Sequence, residues 1–147
     1  MIQRIQTVFL LVSTFLLGLI FWLPLADITA ADQLYLFDIK GIHKAGELVI
    51  NGWALVCFLV LIVISHLVVI FSYKNRIRQV RILIFLMILL LGLFGIFFWF
   101  AYMGFRGVTV SFKLAVAFPI VAIILDWLAI RAIGKDEALI RSLNRIR

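Results

Sequence analysis

The side chains best equipped for chemistry are a histidine and an aspartate set in otherwise apolar sequence. His66 lies in WALVCFLVLIVISHLVVIFSY and Asp126 in LAVAFPIVAIILDWLAI. A charged group in hydrocarbon costs several kcal/mol, so such residues face protein and find partners. His66 precedes Lys74 by eight residues, and Asp126 precedes Arg131 by five. At about 1.5 Å per helical residue they stand about 12 Å and about 7–8 Å from those cations. Similar depth predicts a direct hydrogen bond between them. Such a pair can serve as an interhelical clasp or as a relay for a proton or ion. A relay needs further polar groups, and Ser13 and Ser65 are the only nearby hints.

Other chemistries lack their residues. Haem needs a strong axial ligand, and His66 is the one candidate within an apolar run, since His43 sits in polar sequence. A metal site needs three or four ligands at suitable spacing, which the chain does not offer. No glycine-rich phosphate loop, nucleophile–base order or pair of carboxylates in a cleft can be read. The net charge of +7 reads as charge flanking a membrane, and no nucleic-acid module accompanies it. The expectation is a protein that is not an enzyme, with no cofactor, no metal and no nucleic-acid partner.

The elements that would hold the pair follow from hydropathy. Of 147 residues, 66% are hydrophobic and 14% charged, against about 25% charged in soluble domains, and mean hydropathy is +1.23. A soluble fold of this size has too much surface to hide so many apolar side chains. Four apolar runs, about 7–26, 53–73, 82–103 and 114–130, suit a hydrocarbon core that takes roughly 20 residues per helix. The first is longer than a signal-peptide core and reads as a retained helix. Pro119 should bend the fourth helix, because it removes a backbone bond and crowds the Ala115 carbonyl. Cys57 lies within the second run and is the only cysteine, which leaves no intrachain disulfide.

Charge sets the expected orientation. The stretch KNRIRQVR carries Lys74, Arg76, Arg78 and Arg81 with no acid; together with Arg4 and the tail's Arg131, Lys135, Arg141, Arg145 and Arg147, ten cations fall on one side. The other two connections hold four (Lys40, Lys44, Arg106, Lys113) alongside Asp27, Asp32, Asp38 and Glu47. Cytoplasmic loops are enriched in Lys and Arg, so both termini and KNRIRQVR are expected inside. Arg4, Lys74, Asn75, Arg76, Arg78, Gln79 and Arg81 then form an inner face able to dock a protein or anionic lipid headgroups, which attract each cation by about 1 kcal/mol.

Outside, 27–52 is a loop in which 34–39 and 47–50 can pair as a hairpin. The alternating Val108 to Lys113 (VTVSFK) either adds an edge strand or begins the fourth helix. The tail 135–147 reads as a separate amphipathic helix with Ala138, Leu139, Leu143 and Ile146 on one face. The Phe-rich stretch Phe94-Gly95-Ile96-Phe97-Phe98-Trp99-Phe100 reads as a lipid- or partner-facing surface, with Gly92 and Gly95 permitting close helix contact. Trp22, Trp53 and Trp99 mark the outer interface and Trp127 the inner one. The fold class expected is an all-α membrane protein, a bundle of four transmembrane helices in one domain, with room for a small outer β-sheet.

Two short stretches carry a family resemblance. The opening Met1-Ile2-Gln3-Arg4-Ile5-Gln6-Thr7 before an apolar helix resembles the start of an uncharacterised four-helix inner-membrane protein family of Bacteroidota, labelled only as a domain of unknown function. Ile70-Phe71-Ser72-Tyr73-Lys74-Asn75-Arg76, with Gln79 and Arg81, is similar to that family's aromatic-Lys-Asn-Arg turn. The similarity runs in order along essentially the whole chain; it implies a four-span inner-membrane protein and supplies no activity. The order of elements is also similar to claudin-like tetraspans, although their paired loop cysteines are missing, so that likeness is architectural. The function expected is an accessory or scaffold subunit that binds another membrane protein or itself, the alternative being an intramembrane carrier of a proton, ion, quinone or lipid that uses His66 and Asp126.

Overall fold

The fold was obtained as a computed structural model, which describes residues 3–30, 33–73, 75–103 and 108–144. Four helices, α1 (Gln3–Leu19), α2 (Trp53–Phe71), α3 (Arg76–Met103) and α4 (Phe118–Asn144), run up and down between two ends. One end is the turn joining α2 to α3. At the other end lies a sheet of β1 (Ala26–Ala30), β2 (Gln33–Asp38), β3 (Gly41–Lys44), β4 (Glu47–Asn51) and β5 (Thr109–Phe112). The strands are ordered β4-β3-β2-β1-β5, and every pairing is antiparallel.

This corrects the all-α expectation: the five-stranded sheet is a substantial layer. Ala26–Ala30 was read as helix end and loop, yet it forms a central strand. Pro24 disfavours helix in the residue before it, and the ADITA that follows buries Ala26, Ile28 and Ala30 on one face. The proposed hairpin of 34–39 with 47–50 is also corrected, since β3 pairs between β2 and β4. VTVSFK supplies an edge strand, but on β1. The inward row of the sheet reads Phe112, Ala26, Phe37, Ile42 and Ile50 across five strands. Phe37 is fully buried and meets the rings of Phe97 and Phe100. Phe97, Phe98 and Phe100 of the Phe-rich end of α3 therefore support the sheet, where a lipid- or partner-facing surface was expected. Gly92 and Gly95 bring no helix backbone close.

Helix limits also shift. α1 ends at Leu19, and the chain leaves it through tight turns at Ile20, Phe21 and Trp22. Its 17 residues span about 25 Å. Three helical stretches, Trp53–Phe71, Arg76–Tyr102 and Leu114–Asp136, are long and apolar enough to cross a membrane. α3 starts six residues before the expected 82, so Arg76, Arg78, Gln79 and Arg81 are helical. Pro119 falls in the first turn of α4 after a 3-10 turn at Leu114–Ala117; a missing N–H is harmless there, and no bend is needed. The tail is no separate helix in the described residues, because α4 continues through Gly134 to Asn144. Its proposed apolar face at Leu139, Leu143 and Ile146 lies outside the described side chains.

Each helix buries one stripe at alternating spacings of three and four. On α1 and the turn after it the stripe is Gln6, Leu10, Ser13, Leu17 and Ile20; on α2 it is Leu55, Leu59, Ile62, His66 and Val69. On α3 it is Gln79, Leu83, Leu86, Leu90, Leu93 and Phe97; on α4 it is Ala122, Asp126, Ala129 and Ile133. That 3.5-residue period is the one of knobs-into-holes packing. Each stripe thus holds at least one polar residue among aliphatic ones.

The β3–β4 corner is set by backbone geometry. Ala45 (φ 50°) and Gly46 (φ 90°) form a two-residue hairpin turn with both φ values positive, the geometry that favours Asn-Gly. At Gly41 (φ 138°) an added Cβ would stand 2.0 Å from Ile50 O and 2.8 Å from Gly52 N. Gly41→Ala should therefore abolish the sheet end or cost upwards of about 2 kcal/mol, whereas Ala45→Asn should stabilise by about 0.5 kcal/mol. Denaturant unfolding of both variants in detergent checks the opposite signs.

Candidate functional site

The three polar residues at the middle of the α1, α2 and α4 stripes meet. His66 Nε2 lies 3.0 Å from Asp126 Oδ2 and 3.3 Å from Ser13 Oγ, and all three residues are 0% exposed. His66 Nδ1 lies 3.0 Å from Ile62 O, one turn back on α2. A carbonyl only accepts, so Nδ1 carries a hydrogen. A contact of 3.0 Å between Nε2 and a carboxyl oxygen requires one proton between them, since two lone pairs would repel. Whichever atom holds that proton, the pair is neutral overall, which makes burial tolerable. Asp126 Oδ1 has no hydrogen-bond partner, at a cost of about 1–3 kcal/mol. Ser65, the other polar hint, donates to Leu61 O at 2.8 Å on its own helix. Ser13 was noticed in sequence only as a thin hint. Its signal is positional: it lies on the 3.5-residue stripe of α1.

The cation-rich turn is tied inward more than the sequence suggests. Arg78 Nε donates to Ser72 Oγ at 2.9 Å, and Gln79 Nε2 donates to Val69 O at 3.2 Å. At the end of α2, Val69 O also receives the Ser72 amide, and Ser72 O receives the Asn75 amide. Asn75 O accepts from the Gln79 amide and starts α3. Arg76 Nη2 stands 2.6 Å from Asp136 Oδ2, a close ion pair that is poorly aligned as a hydrogen bond. It links α3 to α4. Arg81 is exposed. Lys74 and the Arg4 side chain lie outside the described residues. Sequence reasoning placed Gln6 at this end, beside Arg76 and Gln79, but missed Ser72 and Asp136; Asp136, the first acid after Asp126, was the more findable of the two.

Further contacts close the two ends. Lys113 Nζ pairs with Asp27 Oδ1 at 2.8 Å, and the Lys113 amide donates to Leu25 O. His43 Nε2 lies 3.3 Å from Asp38 Oδ1, which also caps the amides of Lys40 and Gly41. Arg131 sits over the Trp127 ring at 4.8 Å. Trp22, Trp53 and Trp99 are exposed near the sheet end. Among the described residues no group of three or more His, Cys, Asp and Glu side chains could hold a metal.

A coupled clasp makes a clear energetic signature. His66→Leu and Asp126→Leu should each destabilise, and the double variant should lose less than the two combined. The expected coupling is about 1 kcal/mol in detergent unfolding; losses that add to within about 0.3 kcal/mol would mean that the residues act independently. Ser13→Ala should cost about 0.5 kcal/mol.

No curated protein and no solved structure matches the chain. A family model does, over residues 2–146, under the description of a domain of unknown function. With nearly its whole length matched, and with helices fit to cross a membrane around a buried polar clasp, the chain belongs to the family DUF4293.

Proposed function

We propose that the protein is a non-enzymatic, four-span accessory or scaffold subunit of the bacterial inner membrane that binds another membrane protein. The observation that carries this reading is the outward face of the sheet. Leu36, His43 and Leu48 form one row across β2, β3 and β4, and Leu34 extends it. Leu34 is 64% exposed and Leu48 50%. The β4 edge pairs with no further described strand, and a register shift between Ile42 and His43 leaves Val49 bulged out of the ladder. Exposed apolar side chains on the outward face of a sheet, flanking His43 and beside an open edge, are features of interaction sites. In this reading α1 is the fourth crossing, completed by the turns after Leu19.

The bias of Lys and Arg supports an orientation with both termini cytoplasmic and the sheet outside. The alternative, a proton or ion relay through His66 and Asp126, draws on the unpartnered Asp126 Oδ1. Against it, Ser13, His66 and Asp126 are all fully enclosed, and the flanking stripe residues Leu10, Leu17, Ile62, Val69, Ala122 and Ala129 are apolar. A relay has no polar chain to follow there.

Two measurements test the proposal. In a Cys57→Ala background, a cysteine at Asn75 should resist an impermeant maleimide added to intact cells with a permeabilised outer membrane, and one at Leu48 should react. A photo-crosslinking residue at Leu48 should capture one constant membrane protein. Recovery of adducts with a second copy alone, or of none, contradicts the accessory role.

A further inference from the structure

The turn end contains a cavity of about 620 Å³ between α1, α2 and the start of α3, within the range of about 300–1,000 Å³ usual for small-ligand sites. One wall is polar and holds Gln6, Arg76 and Gln79; the other is apolar and holds Val8, Ile70 and Phe71. Gln6 is 8% exposed, and its Nε2 has no hydrogen-bond partner. A buried amide donor is costly to leave unpaired. Gln79 is 4% exposed, with its own Nε2 spent on Val69 O. The polar wall therefore presents the Arg76 guanidinium directly and holds the Gln6 amide just beneath the surface, where its Nε2 is closed to solvent and would reach an acceptor only by a turn of the side chain. Asp136 offsets part of the Arg76 charge, while Arg78 and Arg81 on the same helix are exposed and add to it.

The apolar wall tells what kind of acceptor fits. Val8 and Phe71 are exposed and continue into the outward apolar faces of α1 (Ile5, Val12, Phe15) and α2 (Leu67, Val68). A free anion has no use for such a wall. A molecule with an anionic head and a long apolar body matches both sides and approaches from the bilayer. Basic pockets between membrane helices at the cytoplasmic boundary commonly hold lipid headgroups. We propose that this cavity binds one anionic glycerophospholipid, its phosphodiester accepting from Arg76 and, once the Gln6 side chain turns toward it, from Gln6 Nε2, with its acyl chains lying along Val8 and Phe71.

The full chain, extracted in mild detergent, should retain one glycerophospholipid in native mass spectrometry. After delipidation, short-chain phosphatidylglycerol should raise the melting temperature, whereas inorganic phosphate at equal concentration should not. Gln6→Leu, which keeps the side chain's bulk and removes the donor, should raise the half-saturating lipid concentration at least fivefold. Val8→Trp fills the groove without touching a polar group and should do the same, so the test survives if either variant misfolds. Arg131→Gln, away from the cavity, should respond as the parent does. Equal lipid response in the parent and in every folded variant overturns the proposal. So does an equal rise with inorganic phosphate, or a lipid-free dimer closed over the cavity.

Discussion

The structure depends on one hydrogen-bonded contact, that of His66 with Asp126 and Ser13. Helices this apolar, when surrounded by hydrocarbon, gain little from hiding one leucine rather than another, because lipid is as apolar as the core. Many rotations and registers of the bundle would bury similar area. A neutral, hydrogen-bonded cluster removes that degeneracy. It is satisfied only when the middles of α1, α2 and α4 face each other at one height, and any other register leaves ionisable groups unpaired in an apolar medium. α3 carries no member of the cluster. It is placed from its ends, by Gln79 and Arg76 at the turn and by Phe97 and Phe100 under the sheet.

The two ends answer different physical demands. At the sheet end the chain must cover the bundle and satisfy its backbone, and five short strands do this with an inward row centred on Phe37. Lys113 and Asp27 pin the return into α4 to the central strand. At the turn end the last carbonyls of α2 need donors, and Gln79, Ser72 and Asn75 provide them. The basic residues there serve the fold as well as the surface: Arg76 joins α3 to α4, and Arg78 anchors to Ser72. With its centre sealed, the molecule leaves its ends and its apolar sides exposed. That suits the proposed subunit, which would bind and position, and it gives a relay little to work with.

The sequence displayed the helices well and the sheet poorly. Runs of Leu, Ile, Val and Phe made α2, α3 and the first part of α4 plain. Their buried faces were not, because a helix apolar all round shows no amphipathic period. The polar exceptions carried that information: depth counted from Lys74 and Arg131 placed His66 beside Asp126, and the stripe rule would have raised Ser13 from a hint to a partner. Ala26–Ala30 was hidden because its ADITA follows an apolar helix without a charge run to mark the break. The aromatic end of α3 misled for a related reason. Phe97 facing a sheet and phenylalanine facing lipid look alike until the sheet is known.

The most direct test of a sealed central clasp is hydrogen exchange at the His66 ring, followed by nitrogen-15 NMR of the protein in bilayers transferred to heavy water. The account expects the Nδ1–H signal, bonded to the Ile62 carbonyl, to persist for hours. Loss of that signal within the time of mixing would show that water reaches the cluster, and would contradict a bundle held at its centre by an enclosed polar contact.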